Sequence, residues 1–555
     1  MALQPPAEAA IKKKEVSDYA KPIVWSIAGN DSGGGAGLAA DQRAAEAFGV
    51  HLCPVVATIT AQNSQAVTQV VPVAPEVLDA QLAALADDLP PTVIKTGLLG
   101  GPEQVAVVAR WVDRLRERQP SVALVVDPVL RSSSGTAFAG EATLHAYRDL
   151  LLPRATLLTP NRREALRLAG LPDSTDAPAL AAALQALGAA SVCVTGGDEG
   201  AAQPTWSLDW VQTLLASGWL ALPRVATPHT HGTGCTFASS AAAAMALGFV
   251  APDALVLAKM ATTHALRRGY AAGQGAGPVA AAAGFGADPS LTPCMGWGDD
   301  YDLDSCLRRW DKGQSRISSE NADLGLYAIV DSAARVQRVL QAGVKTVQLR
   351  IKTPGDVDAP WFTGLETELQ TALTACQAAS ATLVVNDHWR IAHALAQREP
   401  SAAPHLALHL GQEDLHTLGT AGRAELAATG LQLGISSHSL WELARARGLH
   451  PWYAACGPIW PTLTKDMPWV PQGLDNLAWW VQMAGAPVVA IGGILEHAQA
   501  EEAARSGAAG VCIVRGLGDD PAAQAPGWQA AIARGRAAAR LPVPALPHPS
   551  LACAD

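Results

Sequence analysis

Two glycines and a cysteine stand directly before a long Ala-rich run, in the sequence Gly232-Thr233-Gly234-Cys235. Such glycines let backbone N–H groups point at one anion, and the N-terminus of the helix that should follow favours negative charge. This arrangement suits a phosphoryl group in transfer. Thiol pKa values fall at a helix start, so Cys235 could take a proton from a substrate hydroxyl; a small buried hydrophobic residue is the alternative interpretation.

An amide and a carboxylate lie three residues apart after Pro160. If a helix begins here, Asn161 and Glu164 share its first turn and can face one site. The pair suits a hydrated Mg²⁺. Capping of the helix explains the same two residues equally well.

A glycine-rich segment, residues 29–37, lies between a predicted strand and a predicted helix. Glycines let a ligand approach the backbone closely, but a tight turn between strand and helix accounts for them about as well. Because the segment lacks the Lys-Ser/Thr ending of a Walker loop, we do not assign the triphosphate to it.

Polar side chains also follow strands in the second half of the chain. Alternation along residues 347–352 puts Gln348, Arg350 and Lys352 on one face, which indicates anion binding. Asp387 ends the next predicted strand and Asp414 follows the one after it, so two separated carboxylates could hold Mg²⁺ opposite the cations. A pyrophosphate would satisfy both groups.

Two further loops offer a second place for an anion. Residues 461–465 follow the sixth predicted strand of this half with two hydroxyls and an amine, and Gly492-Gly493 follows the seventh with backbone donors. Barrel enzymes commonly bind phosphate at the loops after strands seven and eight. The predicted site therefore has room for a pyrophosphate and a phosphomonoester.

Apolar extended runs alternate with helical pattern throughout, as in a parallel sheet. The first half contains six candidate strands, at 22–28, 53–60, 92–98, 122–129, 155–159 and 191–196. The second half contains eight, at 325–331, 344–352, 382–387, 406–411, 431–436, 452–459, 487–492 and 509–514. Eight strands in about 190 residues is the count of a compact (β/α)₈ barrel. The predicted division is a flexible arm at 1–21, an α/β domain at 22–285, a linker at 286–322, a barrel at 323–520, and a C-terminal helix and tail at 521–555.

Composition excludes several classes of protein. The net charge is −10 and there is no basic stripe, so nucleic acid is not an expected partner. No stretch approaches the roughly 18 apolar residues of a membrane span, and we expect a cytoplasmic protein. Nine scattered cysteines without a Cys-x-x-Cys pair argue against disulfides or zinc, which leaves Mg²⁺ as the expected metal. The oligomeric state stays open, a homo-oligomer included.

The first half resembles the ribokinase-like family, and within it the hydroxymethylpyrimidine/phosphomethylpyrimidine kinases. The matching strings, in family order, are AGNDSGGGAG at 28–37, TAQN at 60–63, KTG at 95–97, DPV at 127–129, TPNRRE at 159–164 and THGTGCT at 230–236. The resemblance implies an α/β/α fold and ATP as cosubstrate. It implies a pyrimidine bound by Gly29, Asp31 and Gln62. Departures from the family are Asn30, in place of Ser or Thr, and Ser133, in place of Lys.

The same resemblance assigns the remaining kinase residues. Nucleotide would be bound by Asn161, Thr195 and Gly197, and Mg²⁺ would be placed with the help of Asn161 and Glu164. The anion hole would be formed by the backbone from Gly232 through Gly234 to Cys235.

Residues 324–520 resemble thiamine-phosphate synthase. The residues that this resemblance assigns to a pyrimidine pyrophosphate and its Mg²⁺ are Gln348, Arg350, Lys352, Asn386, Asp387, Asp414, Ser436 and Lys465. The residues it assigns to the thiazole phosphate are Thr462, Thr464 and Gly493. It implies that pyrophosphate leaves a pyrimidine-methyl carbon and that the thiazole nitrogen captures the resulting cation. Ile351 replaces a frequent Glu, and Arg515 stands where many relatives have a phosphate-binding Ser.

The sequence therefore predicts a bifunctional enzyme of thiamine biosynthesis whose first domain makes the substrate of the second. One alternative is a pyridoxal-type kinase fused to a thiazole-tautomerase-like barrel, against which the set of pyrophosphate residues argues. Another is a barrel that only binds thiamine phosphates and regulates the kinase.

Overall fold

A computed structural model describes residues 21–131, 138, 140–197, 205–298, 323–462 and 468–551. These residues form two compact units, one of residues 21–215 and 223–285 and the other of residues 216–222 and 286–551. Nearly all of the predicted N-terminal arm lies outside the described residues. No helix in the described ranges is long and apolar enough to cross a membrane.

The first unit is a mainly parallel sheet covered by helices. Its strands are β1 Ile23–Asp31, β2 His51–Gln62, β3 Val67–Pro72, β4 Val93–Thr96, β5 Ala123–Val126, β6 Leu157–Leu158, β7 Val192–Thr195 and β8 Trp206–Gln212. Its helices are α1 Gly37–Phe48, α2 Pro75–Ala86, α3 Pro102–Arg118, α4 Glu141–Ala146, α5 Arg162–Ala169, α6 Ala177–Ala186, α7 Thr233–Ala246 and α8 Ala251–Arg267.

The strand order of this sheet explains where a ligand can bind. In space the strands run β8-β7-β6-β5-β4-β1-β2-β3, and only β3 and β8 are antiparallel to their neighbours. Strands β4 and β5 are buried along their whole length, as expected where helices cover both faces. The order reverses between β1 and β4, and α/β sheets bind ligands at the carboxyl ends of strands at such a reversal.

The second unit is a closed barrel of eight parallel strands in sequence order, which confirms the predicted (β/α)₈ fold. Before the barrel, β9 Ser217–Pro223 pairs antiparallel with β10 Cys294–Met295. The barrel strands are β11 Gly325–Val330, β12 Thr346–Leu349, β13 Thr382–Asn386, β14 Leu406–Leu410, β15 Gln432–Ser437, β16 Tyr453–Cys456, β17 Val488–Ala490 and β18 Gly510–Ile513. Its helices are α9 Ala333–Gln341, α10 Ala359–Ala378, α11 Trp389–Arg398, α12 Gln412–Ala428, α13 Leu440–Gly448, α14 Gly473–Met483, α15 His497–Arg505 and α16 Pro521–Ala537.

The predicted linker is described only as far as Gly298, and this part packs on the barrel. Trp297 is buried between two arginines, with the guanidinium carbons of Arg423 and Arg445 at 5.3 and 4.8 Å from its ring centroid. Because these arginines lie on α12 and α13, cation–π contacts hold the segment within the second unit. The boundaries predicted at 285 and 322 stay predictions.

The C-terminal tail lies along the segment that precedes α14. The Val470 N–H donates to the Ser550 carbonyl at 2.8 Å. Asn476 and His548 exchange two hydrogen bonds of 2.8 and 3.0 Å. These contacts attach the tail to residues 469–476 of the barrel.

Candidate active sites

The first unit contains a cavity of about 880 Å³ at the carboxyl end of its sheet. Its wall includes every residue predicted for the kinase site: Gly29, Asp31, Gln62, Asn161, Glu164, Thr195, Gly197, Gly232, Gly234 and Cys235. Chain folding therefore brings together motifs that lie about two hundred residues apart in sequence, as the separation of 200 between Asp31 and His231 illustrates.

Asp31 organises the glycine-rich loop. Its carboxylate accepts hydrogen bonds from the N–H groups of Gly33, Gly35 and Ala36 at 2.8, 3.0 and 2.9 Å, and its Oδ2 lies 3.0 Å from His231 Nε2. Burial opposes the charged form, but the hydrogen bonds from His231 and from the loop outweigh it and lower the pKa of Asp31. The carboxylate thus shapes the loop, and the substrate contact predicted for Asp31 stays a prediction.

The loop and the start of α7 touch through their glycines. Gly232 has φ +82°, and a Cβ on it would lie 2.2 Å from the Gly35 carbonyl oxygen. A Cβ on Gly35 would in turn lie 2.2 Å from His231 Cδ2. The two backbones can approach this closely only without side chains.

A buried charge cluster lies behind this contact. Lys95 is fully buried and donates to both carboxylate oxygens of Asp41 at 3.0 and 3.1 Å, and Ser26 and Ser239 each donate to Asp41 at 2.7 Å. Asp127 Oδ2 lies 3.7 Å from Lys95 Nζ. Two carboxylates compensate the buried ammonium and two hydroxyls donate to one of these carboxylates, so the cluster fixes β1, β4, α1, α7 and the end of β5 relative to one another.

Cys235 lies at the start of α7, but its pKa is not lowered. Burial raises the pKa of the thiol to about 12, although Lys95 acts in the opposite direction. The predicted lowering at the helix start is therefore wrong, because the cost of burying a thiolate exceeds the help from the helix and the lysine.

Asn161 and Glu164 form a capping box at the start of α5. The Glu164 N–H donates to Asn161 Oδ1 and the Asn161 N–H donates to Glu164 Oε2, each at 3.0 Å. This confirms the capping interpretation. Both residues also line the cavity, so the predicted roles in binding nucleotide and Mg²⁺ stay predictions.

Thr195 and Gly197 lie at the end of β7, on the same side of the cavity. The Gly197 carbonyl accepts from Arg224 at 3.0 Å, and the neighbouring Gly196 N–H donates to Asp209 at 3.0 Å. Asp209 is paired in turn with Lys259 at 2.7 Å. These contacts fix the backbone where the nucleotide was predicted.

At the barrel, the predicted residues lie at the carboxyl ends of strands β12 to β15. Gln348 is buried in β12 and donates to Asn386 Oδ1 at 2.7 Å. Arg350 and Lys352 follow β12 and are exposed. Ser436 of β15 lies 2.9 Å from His409 of β14.

Asp414, one of the two predicted metal ligands of the barrel, acts on the pKa of the other, Asp387. Burial and the negative charge of Asp414 raise the pKa of Asp387, while His388 and Arg350 act in the opposite direction. Asp387 has φ +63°, an uncommon conformation for a residue other than glycine. Asp414 accepts from the Gly411 N–H at 2.9 Å at the start of α12. The structure thus brings Arg350, Asp387 and Asp414 to one side of the barrel mouth.

The predicted thiazole-phosphate site is described in part. Gly493 has φ +73°, and a Cβ on it would lie 2.5 Å from the Trp460 carbonyl oxygen, so this loop also needs glycine. Thr462 is half-buried after β16. Thr464 and Lys465 lie outside the described residues, as does Ser133 of the first unit.

Comparisons with known proteins agree with this division. The sequence profile of phosphomethylpyrimidine kinase matches residues 31–280, and that of thiamine monophosphate synthase matches residues 326–517. Over 492 residues the chain is 32% identical to the thiamine biosynthetic bifunctional enzyme TH1, chloroplastic, of Arabidopsis thaliana, with 85% of each chain covered. The chain belongs to the family of thiamine biosynthetic bifunctional enzymes.

Single-function relatives match this bifunctional chain in part. It is 42% identical over 263 residues to the hydroxymethylpyrimidine/phosphomethylpyrimidine kinase of Synechococcus elongatus, covering 47% of this chain and 97% of that one. It is 47% identical over 180 residues to the thiamine-phosphate synthase of Neisseria meningitidis, covering 32% of this chain and 79% of that one.

Several residues of the two sites in this bifunctional chain were missed by sequence reasoning. Lys95, Asp127 and His231 lay within the matching strings but received no role. Asp41 and Lys259 lie inside helices, and no local signal marks them. In the barrel, the polar interior residues Tyr327, His409 and Tyr453 read as ordinary strand residues.

Proposed function

We propose that the first unit phosphorylates hydroxymethylpyrimidine and then its phosphate, with ATP as donor, and that the second unit joins the resulting pyrophosphate to thiazole phosphate. The observation that carries this proposal is that all ten predicted kinase residues line one cavity and that the predicted pyrophosphate residues from β12 to β14 meet at one end of the barrel. The final product of the first unit, the pyrimidine pyrophosphate, would be the substrate of the second.

In the kinase site, the backbone at the start of α7 stabilises the transferring phosphoryl group. The N–H groups of a helix N-terminus supply partial positive charge, and the contact of Gly232 with Gly35 holds them against the substrate loop. Cys235, whose high pKa keeps it a thiol before substrate binds, shapes this anion hole. Thr195 and Gly197 bind the nucleotide from the opposite wall.

The kinase cavity has carboxylates that fit a divalent cation. Asp127 Oδ2 is buried and has no hydrogen-bond partner among the described residues, and both Asp127 and Glu164 line the cavity. Burial raises the pKa of Asp127 to about 6, although Lys95 opposes this shift. A cation on this oxygen would remove the cost of burying its charge, and Mg²⁺ is commonly bound by one or two carboxylates together with substrate phosphates.

In the barrel, Arg350 and Lys352 stabilise the pyrophosphate as it leaves. Asp387 and Asp414 fit Mg²⁺, because burial and the charge of Asp414 raise the pKa of Asp387 and a cation beside its carboxylate would offset both effects. No three metal-ligating side chains cluster in the described residues, so water and substrate oxygens would complete the coordination. The bound Mg²⁺ would neutralise charge on the leaving group.

The test supplies purified protein with ATP, Mg²⁺, hydroxymethylpyrimidine and thiazole phosphate and measures thiamine phosphate by chromatography. Preformed pyrimidine pyrophosphate without ATP isolates the barrel reaction. We expect thiamine phosphate in both reactions. Faster phosphorylation of pyridoxal than of hydroxymethylpyrimidine would favour a pyridoxal-type kinase, and failure of the preformed pyrophosphate to react would favour a regulatory or tautomerase-like barrel. A cytoplasmic location stays a prediction from the sequence.

A further inference from the structure

A chain of hydrogen bonds crosses the barrel interior beneath the predicted pyrophosphate residues. Its centre consists of Tyr327 in β11, Tyr453 in β16 and His409 in β14, which we call the interior triad. The two phenol oxygens lie 2.6 Å apart, and Tyr453 Oη lies 2.8 Å from His409 Nδ1. All three side chains are buried, with at most 7% of each residue exposed.

Both ends of the interior triad reach residues of the predicted site. Tyr327 donates to Gln348 Oε1 at 3.0 Å, and Gln348 Nε2 donates to Asn386 Oδ1 at 2.7 Å. Asn386 directly precedes Asp387, a predicted metal ligand. At the other end, His409 Nε2 lies 2.9 Å from Ser436 Oγ.

The Gln348 and Asn386 amides determine the direction of the bonds. Asn386 Oδ1 can only accept, so it takes a hydrogen from Gln348 Nε2. With its NH₂ group facing Asn386, the Gln348 amide presents its oxygen to Tyr327. Because Gln348 Oε1 can only accept, it takes the single hydroxyl hydrogen of Tyr327.

The remaining bonds follow from the count of hydrogens. The oxygen of Tyr327 can then only accept from Tyr453, and the oxygen of Tyr453 can only accept from His409. His409 Nδ1 therefore carries a hydrogen. Burial and the charge of Arg350 lower the pKa of His409 to about 4, so the buried ring is neutral and its Nε2 accepts from Ser436.

We propose that Tyr327, Tyr453 and His409 are positioning residues for the synthase reaction, which hold the Gln348 and Asn386 amides in one orientation and turn the Ser436 hydroxyl hydrogen away from the substrate. The proposal rests on the proposed function of the barrel. It has a chemical consequence for the substrate. Ser436, with its hydrogen engaged, offers only lone pairs, so it accepts from a donor group such as the exocyclic amine of an aminopyrimidine. It is not a donor to a phosphate oxygen.

The first test measures the tautomer of His409 directly. In full-length protein labelled with ¹⁵N-histidine, the His409 signals are identified by their loss in His409→Gln. We expect a neutral ring protonated on Nδ1 at pH 7. A ring protonated on Nε2, or a doubly protonated ring, would overturn the proposal. This result is independent of whether the barrel makes thiamine phosphate.

The second test removes single hydroxyls without changing the packing. Tyr327→Phe and Tyr453→Phe are assayed with preformed pyrimidine pyrophosphate and thiazole phosphate. We expect each to lower kcat/KM for the pyrimidine substrate about tenfold, the usual effect of one lost hydrogen bond, with the KM for thiazole phosphate unchanged. His405→Gln is the control, because within the described residues the His405 ring hydrogen-bonds to the Ala381 carbonyl, before β13, and not to the interior triad.

Two results would contradict the positioning role in this second test. Wild-type kinetics in both Phe variants would show that the interior triad does not act on the site. Equal changes in both KM values, with loss of barrel stability, would show a merely structural role. If wild-type protein itself forms no thiamine phosphate, the proposed function fails, and the tautomer measurement still decides the direction of the hydrogen bonds.

Discussion

The two proposed sites offer an anion different kinds of partner. In the kinase cavity, backbone groups from two glycine-rich segments meet, and Asp31 accepts hydrogen bonds from the N–H groups of one of them. In the barrel, side chains from successive strands converge, and a hydrogen-bond chain orients them from below. A site made of backbone depends on the absence of side chains, whereas a site made of side chains depends on their orientation. Substitutions should therefore affect the two sites differently.

The largest effect should come from adding one methyl group to the kinase site. Gly232→Ala would force an unfavourable φ and a Cβ 2.2 Å from the Gly35 carbonyl oxygen, which displaces the anion-binding backbone. We expect kinase turnover to fall about 10³-fold, the upper range for loss of one oxyanion-hole donor. Phosphorylation of hydroxymethylpyrimidine is the measurement. Gly101→Ala is the control, because a Cβ there meets nothing within 4 Å. If Gly232→Ala kept wild-type kinase activity, the kinase site would not depend on the absence of a side chain at this position.

In the barrel, Arg350→Ala should lower the turnover from preformed pyrimidine pyrophosphate about 10²-fold and affect KM less, because the charge acts most strongly as the pyrophosphate leaves. Asp414→Ala should instead raise the Mg²⁺ concentration needed for half-maximal rate. A Mg²⁺ titration of each variant measures both effects. Kinase activity should survive both changes. Normal rates and normal metal dependence in both variants would contradict the catalytic assignment of the barrel.

Cys235→Ala tests whether a side chain matters at a site built mainly of backbone. We expect the kinase rate to fall by up to about 10²-fold, the lower range for one catalytic group, while the barrel reaction stays normal. The same assay repeated across pH distinguishes a thiolate that acts in the reaction from a thiol that only shapes the anion hole. Because the pKa of the thiol is raised to about 12, a rate that depended on the thiolate would still be rising above pH 9. A rate that is flat there would support the role in shaping the anion hole.

The smallest effect should be the change in the free energy of unfolding of the barrel with pH. The pKa of His409 is lowered to about 4 in the folded barrel, so the unfolded chain binds more protons between about pH 6.5 and pH 4. Stability should therefore be lost as the pH falls through this window, by about 2 kcal/mol between pH 7 and pH 5. Urea unfolding of the barrel transition measures this change. His409→Gln should reduce the difference; an equal difference in this variant would show that another group is responsible.

The sequence was sufficient for the fold class and for ten residues of the kinase cavity wall. Glycine patterns such as residues 232–235 are contiguous, and strand periodicity showed both the parallel sheet and the eight-stranded barrel. The pKa of Cys235 could not be predicted this way, because burial depends on residues from several strands. The interior triad was missed for a related reason. Tyr327, His409 and Tyr453 are separated by up to 126 residues, and only barrel closure brings them together.

The contact of the tail with residues 469–476 also affects the order in which the molecule can fold during synthesis. The strands of the kinase sheet from β1 to β8 are complete by Gln212. Asn476, by contrast, can form its hydrogen bonds with His548 only after a further 72 residues have been translated. Since domains generally fold as they emerge from the ribosome, the kinase sheet can form while the barrel is still being translated. The segment after the sixth barrel strand acquires its partners last, so the synthase should mature after the kinase.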